Sequence, residues 1–170
     1  EKNLPFLARA AASFIRAHPN SFFLVVGDGP SLPEIHRRFE QKGVADRLRL
    51  AGTKTGAALV DYYHAMDCFA FASTSETQGM VLVEAQACGV PVVALDAPGA
   101  RDVVVNEKNG FLLHAESEGA FYEAFSRVKN LSPGRRAELQ RSVRQMLRHF
   151  GADATADAAL ELYASLIKSG

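Results

Sequence analysis

Short apolar runs and longer amphipathic stretches alternate along this chain. Ser21–Val26 (S-F-F-L-V-V) is a nearly continuous run of β-formers, closed by Gly27-Asp28-Gly29-Pro30. Arg47–Ala51, Asp67–Ala72 and Pro91–Leu95 are further strand candidates, and Gly110–Leu113 reads as an edge strand. Between them, apolar residues recur at helical spacing over Leu4–Ala17, Leu32–Lys42, Ala57–Ala65, Val81–Ala87 and Ala100–Val105. Strands that are apolar throughout, alternating with helices, predict a parallel sheet with helices on both faces. The fold class is α/β, a Rossmann-like doubly wound sheet.

The last third changes character. Ser117–Lys129 and Ser132–His149 read as helices, the second opened by Ser132 as N-cap and Pro133 in the first turn. Leu139, Val143, Met146, Leu147 and Phe150 form its apolar stripe, and Ala154–Lys168 makes one more helix, with Leu160, Tyr163 and Ile167 on one face. These are extra C-terminal helices on a single domain spanning 1–170. The first helical pattern has no strand before it, which points to a piece cut from a longer chain.

Composition narrows the picture only a little. The formal net charge is zero over 170 residues, so nothing draws the whole surface to nucleic acid or an anionic membrane. Any anion site must be local. Cys68 and Cys88 lie inside apolar stretches and read as small buried hydrophobes, not as a disulfide or metal ligands. No apolar run approaches the roughly 20 residues that span a bilayer, and no signal-peptide pattern is present; the expected location is the cytoplasm.

In an open α/β sheet, ligands bind at the carboxyl ends of strands, where loops lead into helix N-termini. Four loops qualify: Gly27–Ser31, Gly52–Gly56, Ser73–Met80 and Asp96–Ala100. The third, S-T-S-E-T-Q-G-M, has a tight turn at Gly79 followed by a helix beginning near Met80. Free amides and the dipole at that helix start suit a phosphate. Glu84 lies one turn into the helix and leans back toward its start, with Glu76 in the loop beside it. Carboxylates accept from sugar and ribose hydroxyls. A diphosphate between two polyol rings, as in a nucleotide-sugar, meets both requirements. Chance spacing of two surface glutamates is the competing explanation.

The segment Glu76–Glu84 fits an E-x7-E pattern. Around it stand E-K-N at Glu1–Asn3, V-V-G-D-G-P at Val25–Pro30, R-L-R-L-A-G at Arg47–Gly52, D-Y-Y-H-A-M-D-C-F-A at Asp61–Ala70 and N-G-F-L-L at Asn109–Leu113. In order and spacing, this set resembles the C-terminal, donor-binding domain of the GT-B retaining glycosyltransferases of family 4, also called group 1. The resemblance covers essentially the whole chain. It implies transfer of a sugar from a UDP-, GDP- or ADP-linked donor to a glycan, lipid or small-molecule acceptor, with retained anomeric configuration. It implies no cofactor and no required metal, and the sequence holds no D-x-D triplet. The facing N-terminal acceptor domain would be absent from this chain, and the fragment alone inactive.

Under the same resemblance, Glu76 contacts the transferred sugar and Lys2 neutralises the departing diphosphate, where a fixed cation lowers the barrier. Glu84 takes the ribose hydroxyls. Backbone amides at Gly79, Met80 and Val81 hold the diphosphate, and the base rests near Gly27, Gly29, Ala51, Gly52 and Thr53. Many family members carry an aromatic–glycine pair after the first glutamate, where this chain has Thr77-Gln78-Gly79. Donor-sugar identity is where that departure would be felt.

Remaining features have plainer readings. G-D-G-P lacks the third glycine of a dinucleotide fingerprint, and Asp28 reads as a turn residue. His64, His114 and His149 read as packing or surface histidines. Arg141, Arg144 and Arg148 form a basic stripe; a solvated face is preferred over contact with a lipid acceptor at the inner face of the membrane. Arg101 and Asp102 are expected to form a local ion pair. A non-catalytic nucleotide-binding or scaffold module is the alternative to an enzyme.

Overall fold

A computed structural model of the chain describes residues 2–75 and 79–150, with side chains described as far as Met146. The expected helix Ala154–Lys168, and the side chains of Leu147, Arg148, His149 and Phe150, lie outside the described residues. The chain runs α1 (Leu4–Ala17), β1 (Phe23–Val26), α2 (Leu32–Gln41), a 3₁₀ turn (Ala45–Arg47), β2 (Leu48–Gly52), α3 (Gly56–His64) and β3 (Phe69–Phe71). Then follow α4 (Met80–Ala87), β4 (Val92–Leu95), α5 (Pro98–Val103), β5 (Gly110–Leu113), α6 (Glu118–Lys129) and α7 (Pro133–Phe150). Every strand and helix expected within this range is present, with ends shifted by a residue or two.

Among the described residues, all pairing between strands is parallel. β1 pairs with β2, and β3, β4 and β5 form a second sheet in that order, with β5 at its edge as expected. Hydrogen bonding therefore does not run continuously across the five strands; the two sheets are joined by a shared core. β4 is its centre, with all four residues buried. Alternation along a strand sends Val93 and Leu95 to one face, packed with α1, α2 and α6, and Val92 and Ala94 to the other, packed with α3, α4 and α5. Burying each of these valines or leucines stabilises by about 1.5–3 kcal/mol.

The expectation of helices on both faces of a parallel sheet holds. Phe23, Val25 and Leu48 pack under α1 and α2, and Leu59 and Tyr63 of α3 pack with Phe69, Phe71 and Leu82. Arg49 is exposed and lies over the Phe22 ring, 4.8 Å from its centroid.

α1 is buried along most of its length, with Phe14 and Phe6 packed edge-on against Phe125 and Phe121 of α6. Its alanines, Ala8, Ala10, Ala11 and Ala12, let the neighbouring helices approach closely. Ser132 caps α7 as expected, accepting from the Arg135 amide, and Ser117 caps α6 in the same way, accepting from the Ala120 amide. Leu139 and Val143 of the α7 stripe are buried, and Met146 packs against the second core. Both cysteines are free and packed against apolar side chains, and burial pushes the Cys68 thiol up to about 12.

The N-G-F-L-L segment has a structural explanation. Asn109 is buried; its side chain donates to the Val103 carbonyl at 2.9 Å and accepts from the Val105 amide at 2.7 Å. Its own carbonyl accepts from buried Gln86 at 3.0 Å. Beside it, a Cβ on Gly110 would stand 2.9 Å from the Val92 carbonyl oxygen and 3.0 Å from Val104, so only glycine lets β5 lie this close to β4. Asn109→Ala would leave the buried Val103 carbonyl and the part-buried Val105 amide without their side-chain partner. It should lower unfolding stability by about 2–4 kcal/mol, read by urea denaturation with an unchanged slope.

Candidate functional site

Within each sheet the strands are parallel, so their carboxyl ends open on one side. At the end of β1, Gly27 (φ +139°) and Gly29 (φ +152°) adopt conformations that glycine alone takes readily. The Gly27 amide donates to the Gly52 carbonyl at 2.9 Å, and Gly52 itself turns at φ +69°. Two of the expected base-binding segments, Gly27–Gly29 and Ala51–Thr53, are thereby brought side by side. Gly29, Gly52 and Thr53 are exposed and Ala51 half-buried. Asp28 accepts from the Gly29 amide at 2.7 Å, as a turn residue does.

Just after β3 stands buried Ser73, and just before α4 stands buried Gly79. Glu76, expected to touch the transferred sugar, lies outside the described residues. Gly79 is the N-cap of α4, at φ +63°, and its carbonyl accepts from the Leu82 and Val83 amides at 2.8 and 3.2 Å. A Cβ there would come within 2.5 Å of the Gly99 carbonyl oxygen and 3.2 Å of Val103. The start of α4 is thus set directly against the backbone of α5. The amides of Met80 and Val81, in the first turn, donate to no backbone carbonyl among the described residues.

Glu84 is half-buried one turn further on, and the Tyr63 hydroxyl donates to its Oε2 at 2.8 Å. That partner escaped the sequence reading. The signal was there: Tyr63 follows Leu59 by one helical turn on an apolar face, and a buried tyrosine needs a partner for its hydroxyl. Lys2 is exposed just before α1 and makes no ion pair among the described residues.

The ends of β4 and β5 hold a second polar group. Asp96 accepts from Arg101 Nε at 2.8 Å and from His114 Nδ1 at 2.9 Å. The expected Arg101–Asp102 pair is therefore corrected: Arg101 sits in the short helix α5, where folding back to the strand end brings it onto Asp96. His114 is exposed, as read, yet it closes this cluster. The hydrogen bonds from His114 and Arg101 hold the Asp96 carboxyl below the usual aspartate range. The hollows between β5 and α6, lined by Phe111, Arg127 and Leu131, are separate from these strand-end loops. No helix among the described residues is long and apolar enough to cross a membrane.

Comparison with known proteins identifies the family and the fold. The family model described as glycosyl transferases group 1 matches residues 1–146. A D-inositol 3-phosphate glycosyltransferase from Xylanimonas cellulosilytica is 36% identical over 149 residues, covering 85% of this chain and 36% of that protein. The chain therefore spans about a third of the length of this relative. Among solved structures, an S. aureus TarM variant in complex with fondaparinux, alpha-GlcNAc-glycerol and UDP superposes with a TM-score of 0.81 at 22% identity, covering 97% of this chain and 32% of that one. The C-terminal domain of a glycosyl transferase group 1 family protein (LpcC) from Francisella tularensis superposes at 0.75, with 19% identity, covering 87% and 78%.

Two outcomes follow from the site's construction. Gly79→Ala should cost at least about 2 kcal/mol in thermal or urea unfolding, because it meets both a left-handed φ and a backbone oxygen. The stability that Asp96 lends is full above the ordinary aspartate range, ~4, and is lost as pH falls through its lowered folded value. Asp96→Asn should therefore lower stability at neutral pH and flatten the acid limb of a stability–pH curve.

Proposed function

The chain belongs to the group 1 glycosyl transferases, and on that footing we propose that it is the donor-binding domain of a retaining, metal-independent enzyme that transfers a sugar from a nucleotide diphosphate-sugar. One observation carries the reading: a glycine turn opens α4, whose Met80 and Val81 amides donate to no backbone carbonyl among the described residues, and Glu84 follows one turn later as the second acid of an E-x7-E spacing. The amides of Gly79, Met80 and Val81 supply donors for the diphosphate, and the helix dipole adds partial positive charge. Glu84 accepts from the ribose hydroxyls. Glu76 serves the transferred sugar, and Lys2 offsets charge gathering on the leaving diphosphate. The base rests between Gly27–Gly29 and Ala51–Thr53, held by backbone groups. The lack of a D-x-D triplet supports chemistry without a required metal.

The acceptor site belongs to a facing N-terminal domain, so these residues alone bind donor without transferring it. Two free cysteines fit a reducing, cytoplasmic setting. The nucleotide is UDP, GDP or ADP.

Titration calorimetry of the folded chain with UDP, GDP and ADP tests the reading. Binding of at least one is expected, and Glu84→Gln should weaken it by ~1.5–3 kcal/mol, the worth of a hydrogen bond to a charged group. Failure of all three to bind would overturn the reading.

A further inference from the structure

Glu84 stands on a surface-facing turn of α4, where a free glutamate samples several rotamers and would have to be ordered each time a ligand arrived. Here one carboxylate oxygen is already held. The Tyr63 hydroxyl donates to Glu84 Oε2 at 2.8 Å, and Tyr63 is only 4% exposed. Its ring lies 5.8 Å from that of Phe69, the first residue of β3, and packs in the core formed by Leu82, Ala85 and Val92. Tyr63 is thus a rigid post, fixed at its base by the sheet, with a polar tip meeting the acid from beneath. No second hydrogen bond to the Glu84 carboxylate comes from the described residues.

We infer that Tyr63 is a positioning residue for nucleotide-ribose binding: it fixes the Glu84 carboxylate so that its remaining lone pairs face the cis-diol of the donor. This rests on the nucleotide-sugar reading above. The chemistry suits the task. A ribose diol offers two O–H donors, and a carboxylate accepts about four hydrogen bonds, so one bond to a phenol leaves enough capacity for both. A lysine or arginine in the same place would compete for those lone pairs as a multiple donor. A neutral phenol commits one bond and leaves the charge in place.

The alternative is that Glu84 merely satisfies a buried phenol, and Tyr63→Phe separates the two. The substitution keeps the ring and its packing, and a circular dichroism melt confirms that the fold is retained. The readout is the ratio of dissociation constants for the 2′,3′-dideoxy and ribo forms of whichever of UDP, GDP or ADP binds best. Loss of Glu84 ordering should weaken ribonucleotide binding by about tenfold. The dideoxy form should bind as before, so the ratio should fall toward one. Tyr63→Phe combined with Glu84→Gln should bind no more weakly than Glu84→Gln alone. An unchanged ratio in folded Tyr63→Phe defeats the inference while leaving the nucleotide site standing. A wild-type chain that binds nucleotide but ignores the ribose hydroxyls defeats it as well, whereas no binding at all defeats the nucleotide reading and this inference together.

Discussion

Two backbones can touch only where no side chain stands between them. At Gly79 the first residue of a helical segment is pressed against the carbonyl of Gly99, leaving no room for a methyl group. The same residue must turn with positive φ, so space and dihedral angle demand glycine for independent reasons. Everything offered to a ligand in this part of the molecule is measured from that contact. It sets where α4 begins, hence where its first amides lie and where Glu84 stands one turn later.

The contact holds because what surrounds it is rigid. β4 is buried on both faces, and its alternating side chains tie two separate cores into one body. Asn109 satisfies a carbonyl and an amide at the end of α5 and accepts Gln86 of α4. The helix carrying Glu84 and the helix carrying Gly99 are thereby coupled through one asparagine, which meets α5 and the residues after it by its side chain and Gln86 by its backbone carbonyl. Hydrogen bonds made where water is excluded are costly to break, which is why one asparagine can govern the geometry of two helices.

Charge is distributed to match. The formal net charge is zero, and the ion pairs of the described residues, such as Arg37 and Arg38 with Glu34, are mostly exposed and contribute little to stability. Attraction for an anionic ligand must then come from local dipoles and amides, which act only over a helical turn.

Local pattern alone determined much. Short apolar runs marked the strands of the described residues, and helical spacing marked the helices, with a serine cap at Ser132, because burial and capping are decided within a few residues. The glutamate spacing and the glycine turn pointed to one loop for the same reason. Tertiary structure decided the rest. That hydrogen bonding splits into two sheets, that His114 closes onto Asp96, and that Tyr63 meets Glu84 all depend on residues far apart in the chain. Such partners are chosen by packing, and packing leaves no mark on local periodicity.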